Sequence, residues 1–110
     1  MRKFGRKRGQ RKAFLKTLVH NLIISKKIET TEARAKELRP IVERFITRAK
    51  KHDLAGLRFL LARLPKVSAN KLYYDIAPKY ADRKGGYMRI TKTTGRRKRD
   101  AAYKTIIEFV

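Results

Sequence analysis

The net charge of the chain constrains its folding more than any other feature of the sequence. Its 110 residues include 31 Lys and Arg against 9 Asp and Glu, which gives a formal net charge of +22. A field of this strength opposes compaction by self-repulsion and attracts polyanions at low salt. We therefore expect a partner that neutralises the charge: nucleic acid, an anionic membrane or an acidic protein. Nucleic acid is favoured, because a strongly basic domain is typical of proteins that bind phosphate backbones.

The remaining composition still permits a folded core, and we expect a single domain covering residues 1–110. Hydrophobic residues make up 42% of the chain, and a domain of this size can bury a core without disulfides or metal ions. The chain has no cysteine, which excludes disulfides, thiol catalysis and cysteine-based zinc sites. The longest apolar run, residues 59–62, is too short to cross a bilayer. The first 28 residues contain no acid, so an organellar transit peptide is an open alternative there.

The N-terminal quarter combines a basic arm with an amphipathic helix. Residues 1–9 hold two glycines and five basic residues, which predicts an extended arm that orders only on a partner. From Gln10 to Ser25 the apolar residues recur with helical spacing and form one face. We interpret this face as part of the core, and the alternative is an amphipathic helix on a membrane surface. The apolar positions are Phe14, Leu15, Leu18, Val19, Leu22 and Ile23.

The middle of the chain predicts a short strand followed by three helices. Residues 28–31 are rich in β-branched side chains and predict a strand, and residues 32–51 have the spacing of a helix. Pro40 lies inside that helix and is expected to kink or split it. Asp53 is expected to cap a third helix, and Ser68 a short fourth helix. The residues expected to face the core are Leu54, Leu57, Leu60, Leu61 and Leu64 in the third helix and Leu72, Tyr73 and Ile76 in the fourth.

The C-terminal part predicts a β-hairpin with a basic tip. Residues 87–93 and 102–109 alternate and are rich in β-branched and aromatic side chains, and a loop over residues 95–100 joins them. Gly86 is expected to adopt a positive φ in the turn before the hairpin. The predicted fold class is α/β, of the α+β kind, in two layers. A basic arm and helix precede a β-α-α-α-β-β body, whose small mixed sheet is covered by helices on one face.

No group of residues predicts catalysis, and we expect the protein not to be an enzyme. His20 and His52 have no partner at metal-ligand spacing, so ordinary boundary positions explain them best. The nine acids are spread singly along the chain, mostly alternating with Lys or Arg, which fits solvated ion pairs rather than a general acid and base. No phosphate-binding glycine loop is found, and we expect neither a metal ion nor a cofactor.

Basic residues occur in clusters beside glycines and predicted loops, which favours phosphate binding over an ordinary solvated surface. Each cation near a phosphate releases condensed counterions, and Arg can also hold a phosphate through two hydrogen bonds. Tyr87 is interpreted either as a ring laid against RNA beside Arg89 or as a tyrosine packed at the sheet edge. The candidate RNA-binding residues are Arg2, Lys3, Arg6, Lys7, Arg8, Arg11, Lys12, Lys16, Arg83, Lys84, Tyr87, Arg89, Arg96, Arg97, Lys98 and Arg99.

Three segments resemble one known family over nearly the whole chain. They are IETTEARAKELRPIVERFITRAK at residues 28–50, IAPKYADRKGGYMRITK at 76–92 and RDAAYKTIIEFV at 99–110. In this order and spacing they are similar to the bacterial large-subunit ribosomal protein family L17. The chain departs from the family pattern in its shorter opening, at Met88, where Thr is common, and at Lys98, where Gly is usual.

The resemblance implies a structural role on the ribosome. It implies a monomer bound to large-subunit ribosomal RNA near the polypeptide exit region, beside other large-subunit proteins. It further implies a cytoplasmic location on the ribosome, no small-molecule substrate and no catalysis. The family's RNA-facing segments correspond to the N-terminal arm, Arg11, Lys12, residues 83–89 and the hairpin tip. From the residues alone, two other functions stay open: a DNA-binding architectural protein whose third and fourth helices imitate a helix–turn–helix, and a membrane-active cationic protein.

Overall fold

A computed structural model describes residues 7–96 and 103–110 of the protein. The described residues form four α-helices and three strands, which confirms the α+β class and the predicted order of elements. None of these helices is long and apolar enough to cross a membrane. The elements are α1 (Arg8–Ser25), β1 (Lys27–Thr31), α2 (Glu32–Ala49), α3 (Leu54–Arg63), α4 (Lys66–Lys71), a π-helical turn (Leu72–Ile76), a 3₁₀ turn (Ala77–Tyr80), β2 (Met88–Arg96) and β3 (Tyr103–Phe109).

The three strands form one sheet in the order β1-β3-β2, and both outer strands run antiparallel to β3. The prediction of a mixed sheet is therefore wrong. Ile107 in the centre pairs with Ile28 on one side and Ile90 on the other. Ile107 is fully buried, whereas its neighbours Ile106 and Glu108 are partly exposed, so the helices cover one face only. A sheet with one open face is usually antiparallel, because parallel sheets need cover on both faces.

The core lies between the helices and the covered face of the sheet. In α1, the predicted core positions Leu15, Val19, Leu22 and Ile23 are buried, which supports packing rather than a membrane surface as the role of this face. α2 buries a matching stripe that includes Leu38 and Ile46. Other buried residues of the cluster are Leu60, Leu64, Ala69, Leu72, Tyr73, Ile76, Ala77, Tyr80, Tyr87, Met88 and Ile107.

α2 begins and continues as its sequence dictates, except at Pro40. Thr31 caps the helix by accepting a hydrogen bond from the Arg34 backbone N–H at 3.4 Å. Of the two outcomes predicted for Pro40, a kink or a split of the helix, the split is wrong, because α2 is continuous from Glu32 to Ala49. Pro40 lies on the exposed side, where water can satisfy the carbonyl that loses its partner, while buried Leu38 and Val42 hold both halves in the core.

α3 is shorter than α2 and buries a narrower stripe. Asp53 caps it as predicted, since its side chain accepts from the Gly56 N–H at 2.6 Å. Gly56 sits so close to α2 that a Cβ there would lie 3.0 Å from the carbonyl oxygen of Arg48. Leu60 and Leu64 are buried on the same stripe as Gly56. The predicted inward positions of Leu54 and Leu61 are wrong, because both lie off this stripe, 59% and 41% exposed.

α4 and the turns after it lead the chain back to the sheet. Ser68 does not cap α4 as predicted: it lies inside the helix, and its hydroxyl donates to the Pro65 carbonyl at 3.0 Å. The predicted burial of Leu72, Tyr73 and Ile76 is confirmed. Gly86 adopts a φ of +66°, as predicted for the turn before β2.

Several boundaries differ from the prediction by one to three residues, and two of these differences fall in the basic segments. α1 starts at Arg8, so Arg8 and Gly9 are helical rather than part of an extended arm over residues 1–9. Gly9 is a poor helix former, but Arg8 is a good one, and the Gln10 side chain supports the early start by accepting from the Lys7 backbone N–H. β2 runs to Arg96, so residues 95 and 96 belong to the strand and not to the predicted loop. Opposite β3, the register of β2 shifts between Lys92 and Arg96, which marks a bulge at the base of the hairpin tip.

Candidate nucleic-acid interface

The structure describes part of the predicted RNA-binding set. For Arg96 it gives only the backbone, at the end of β2. Six predicted residues lie outside the described residues, and for them RNA binding stays a prediction: Arg2, Lys3, Arg6, Arg97, Lys98 and Arg99.

The first half of α1 carries a stripe of exposed cations. Arg8, Lys12 and Lys16 follow each other at a spacing of four residues, so they lie on one side of the helix, about 6 Å apart along its axis. Lys7 precedes the helix at its N-cap, and Arg11 is half-buried beside the stripe. None of the ion pairs between described residues includes any of these five cations. The stripe therefore offers its charge to solvent or to a partner.

This stripe is costly for a helix that stands alone. Like charges four residues apart destabilise a helix, and cations in the first turn oppose the positive end of the helix dipole. α1 contains no Asp or Glu that could offset either effect. Its start is held mainly by the Gln10 side chain, which accepts from the Lys7 backbone N–H at 3.4 Å. A polyanion along the stripe would relieve both kinds of repulsion.

Arg83 and Lys84 form a second exposed cationic site, in the loop between the 3₁₀ turn and β2. The backbone of this loop is fixed from inside the protein. The Arg83 carbonyl accepts from the Lys50 ammonium group and from the Tyr87 hydroxyl, the latter at 3.1 Å. The Arg83 Nε in turn donates to the Gly85 carbonyl at 3.2 Å. The loop thus presents two cations on a backbone that the core holds in place.

Tyr87 belongs to the core, and the interpretation of its ring as an RNA-stacking surface is wrong. Its side chain is 1% exposed, and its ring centroid lies 5.3 Å from that of Tyr80 and 5.2 Å from the Lys50 Nζ. The alternation of residues 87–93 predicted that Tyr87 shares a strand face with Arg89. It does not, because Tyr87 precedes β2 and is buried, whereas Arg89 is exposed. Its function is to anchor the loop that carries Arg83.

Arg89 lies on the open face of the sheet, where charges of both signs meet. Its Nε is 3.1 Å from the Glu108 carboxylate, and on the same face Lys104 and Glu29 are 3.6 Å apart. An exposed ion pair contributes little to stability, but it offsets the charge of Arg89. The charge of Arg89 is therefore partly compensated, unlike the charges of the α1 stripe.

A groove opens beside the α1 stripe, between α1, α2 and α3. It encloses about 400 Å³. Arg63, which was not among the predicted residues because it is not part of a basic cluster in the sequence, lies on its rim. The Arg63 guanidinium sits 3.8 Å from the centre of the Phe59 ring and donates to the Phe59 carbonyl at 3.2 Å. The lining residues are Lys12, Leu15, Lys16, Val19, Ile41, Phe45, Ala62 and Arg63.

No metal site accompanies these cations in the part of the chain that the structure describes. There, no group of three His, Cys, Asp or Glu residues could hold a metal ion. His52 stacks on Tyr73 with ring centroids 4.2 Å apart, which gives it a packing role at the end of α2. The arrangement as a whole can bind an anion and offers no acid–base pair for chemistry.

The comparison with known proteins identifies the family. The family model of ribosomal protein L17 matches residues 14–110. The chain belongs to the ribosomal protein L17 family. A curated relative is the large ribosomal subunit protein bL17 of Shouchella clausii (strain KSM-K16). It is 50% identical over an alignment of 117 residues, gaps included, which covers 98% of this chain and 97% of that protein. The resemblance seen in the three sequence segments is thereby confirmed.

The L17 match divides the interface into two parts. Lys16, Arg63 and the Arg83–Lys84 loop lie within the matched residues 14–110, and so do the apolar residues that line the groove. Arg8 and Lys12 lie before the match begins. The first cations of the α1 stripe therefore lie outside the residues that the family model matches.

Proposed function

We propose that the chain is a structural constituent of the large ribosomal subunit, which binds large-subunit ribosomal RNA and stabilises its fold near the polypeptide exit region. Membership of the L17 family supports this assignment, as does the large-subunit relative that is 50% identical. The protein acts as one domain and as a monomer, beside other large-subunit proteins, in the cytoplasm. It has no catalytic role and needs no cofactor.

The proposed mechanism is neutralisation of phosphates at points that the core holds apart. The α1 stripe and the Arg83–Lys84 loop lie on different elements that pack on the same hydrophobic cluster. Residues 1–6 and 97–99, which lie outside the described residues, add six further cations. Each phosphate contact releases counterions, so binding is strong at low salt. A rigid body with several cationic sites recognises the shape of folded RNA rather than a base sequence.

One observation carries the proposal: the stripe of Arg8, Lys12 and Lys16 on a helix without a single carboxylate. Protein surfaces usually mix charges of both signs, as the open sheet face of this protein does. A row of cations that repel each other is stable when phosphates lie along it. The stripe is therefore the part of the proposed RNA interface that the described residues support best.

RNA is favoured over duplex DNA, because the helices after α2 are not arranged to read a groove. α4 has six residues, and one of its two cations, Lys71, bonds to the end of α1. The Lys71 ammonium group donates to the Ile24 carbonyl at 2.7 Å. A recognition helix contacts base edges through residues near its start, where α4 offers the exposed Lys66 followed by the apolar Val67. A single exposed cation there is a weak basis for base contacts, so the helix–turn–helix alternative is not favoured.

Competition binding tests the proposal. The full chain is bound to labelled large-subunit ribosomal RNA and challenged with unlabelled random-sequence duplex DNA at equal phosphate and fixed salt. We expect the complex to survive a large excess of duplex, and added protein to enter large subunits that lack it and remain there in a high-salt wash. Displacement by duplex at equal phosphate, together with loss from the particle in the wash, would refute the proposal.

A further inference from the structure

We propose that the groove between α1, α2 and α3 holds one unpaired nucleotide of the bound RNA. The base would lie against the apolar floor, and its phosphates against the cations on the rim. This inference deepens the proposed function and rests on it. It adds a pocket, and with it Arg63 and Ala62, to an interface otherwise made of surface cations.

The chemistry of the lining selects an anion with an apolar body. Leu15, Val19 and Phe45 form the floor, while Lys12, Lys16 and Arg63 stand on the rim. No acidic residue lines the groove. Most ligand pockets have this composition, with an apolar surface and a few polar groups that fix the orientation. A nucleotide joins a flat, largely apolar ring to a phosphate and so matches both parts.

The size of the groove fits a single nucleotide. A volume of about 400 Å³ lies at the small end of the range for pockets that hold small molecules, roughly 300–1,000 Å³. A base pair inside a helix cannot enter, because its faces are covered by stacked neighbours. Unpaired bases of RNA loops and bulges are free to be splayed out, and proteins commonly read them in this way. The groove is therefore suited to an unstacked base.

Contacts within the protein already fix the position of the Arg63 side chain. Its guanidinium is fixed over the Phe59 ring and bonded to the Phe59 carbonyl through Nη1. A guanidinium has five donors, so this bond leaves most of them available for a phosphate or a base edge. Because the side chain is already ordered, little entropy is lost on binding.

An acidic peptide with apolar side chains is the other ligand that this lining could attract. RNA is favoured because Lys12 and Lys16 belong at once to the groove and to the α1 stripe. A strand whose phosphates follow the stripe passes the mouth of the groove, where a base can turn in without leaving the cations. A peptide would have to displace the RNA from two of its contacts.

Filling the groove without changing its charge tests the inference. Ala62 lines the groove from α3 and is itself exposed, so Ala62→Trp blocks the space and leaves every cation in place. Val67→Trp is the matched control, since Val67 is 67% exposed on α4 and does not line the groove. Ala62→Leu fills the groove in part and serves if the larger variant proves unstable in thermal unfolding.

The measurements are the affinity for large-subunit ribosomal RNA, its salt dependence, and the chemical reactivity of single nucleotides in the complex. We expect Ala62→Trp to weaken binding by about 5- to 100-fold, the effect typical of losing one base contact, with an unchanged salt slope. Ala62→Leu should have a smaller effect, and Val67→Trp none. One nucleotide that the parent protein protects should become reactive in the Ala62 variants.

The outcomes separate the groove from the proposed function. If Ala62→Trp binds RNA as well as Val67→Trp does, with the same protected nucleotides, the groove does not hold a base, although RNA binding stands. If a peptide of alternating Glu and Leu binds the parent, fails to bind Ala62→Trp and leaves RNA binding intact, the occupant is a peptide and the inference is wrong. If no variant, nor the parent, prefers ribosomal RNA to duplex DNA, the proposed function itself fails.

Discussion

α1 and α2 are two helices of 18 residues each, but the charges on their exposed sides are arranged in opposite ways. α2 has a Thr31 cap, Glu32 in its first turn and Arg48 in its last, all of which suit the helix dipole. Two ion pairs at a spacing of four residues, Lys36–Glu32 at 2.8 Å and Arg39–Glu43 at 3.4 Å, add to it. α1 has none of these devices among the residues that the structure describes.

The exposed sides of the two helices differ in whether their charge is compensated within the protein. Both bury an apolar stripe in the same core, so both are structural on the inside. α2 neutralises part of its own surface charge through these ion pairs. α1 leaves its cations uncompensated, and this is the arrangement expected of a helix whose outer face is completed by phosphates.

The largest expected effect concerns the core that the two helices share. Leu22 in α1 and Leu38 in α2 are both fully buried, so Leu22→Ala and Leu38→Ala should each destabilise the free protein by about 2–5 kcal/mol. Urea unfolding followed by circular dichroism measures this. If Leu22→Ala costs almost nothing while Leu38→Ala costs several kcal/mol, α1 is not packed in the free protein and the comparison breaks down.

Charge reversal should act with opposite signs in the two helices. Lys12→Glu places a carboxylate four residues from both Arg8 and Lys16, so two repulsions become two attractions, worth about 0.8–2 kcal/mol of added stability. Lys36→Glu loses the ion pair with Glu32 and creates a repulsion, so it should destabilise. The melting temperatures of the two variants decide this. Equal shifts of the same sign would mean that the α1 stripe is not strained.

The smallest effect is a pH dependence confined to α2. The hydrogen bond from Lys36 is the main cause that lowers the pKa of Glu32 below its usual value, with Coulombic help from Lys36 and Lys92. A lowered pKa in the folded state contributes stability that is complete above the pKa of the unfolded chain and is lost as the pH falls through the folded pKa. Glu32→Gln should therefore reduce stability near neutral pH and have little effect in strong acid.

This is checked by chemical unfolding of both proteins at neutral pH and below the ordinary range of a glutamate. A stability difference that is the same at both values would contradict the assigned ion pairs. The direct readout is the NMR titration of the Glu32 carboxyl, which should have its midpoint below that of a glutamate in the unfolded chain.

Local patterns in the sequence were sufficient for most of the fold. The helical period of α1 predicted its buried face, and the alternating residues at the C-terminus predicted the hairpin, because both signals lie within one element. Asp53 predicted the start of α3 for the same reason. The split predicted at Pro40 and the inward position predicted for Leu61 were wrong, because packing against distant elements outweighed their local signal. The antiparallel sheet also depends on the pairing of β3 with β1, which is far away in the sequence.

The candidate interface divides in the same way. The cations of α1 were predicted because they lie close together in the sequence, and residues close in sequence stay close together in a helix. For Tyr87 two interpretations stayed open, because its burial depends on contacts with Lys50 and Tyr80 that no local pattern reveals. Arg63 was missed because it joins Lys12 and Lys16 only when α1, α2 and α3 come together in the fold. A site whose residues come from several helices can be recognised only in the tertiary structure.

The salt dependence of binding to large-subunit ribosomal RNA tests the central claim most directly. The two proteins to compare are Arg8→Gln/Lys12→Gln/Lys16→Gln in α1 and Lys36→Gln/Arg39→Gln/Arg44→Gln in α2, which lose the same formal charge. The α1 variant should reduce the slope of log affinity against log salt by about 2–3 units, because each lost phosphate contact removes about 0.7–0.9. The α2 variant should change it by less than about 1 unit. Equal reductions in the two variants, or an unchanged slope in the α1 variant, would contradict the claim that phosphates lie along α1.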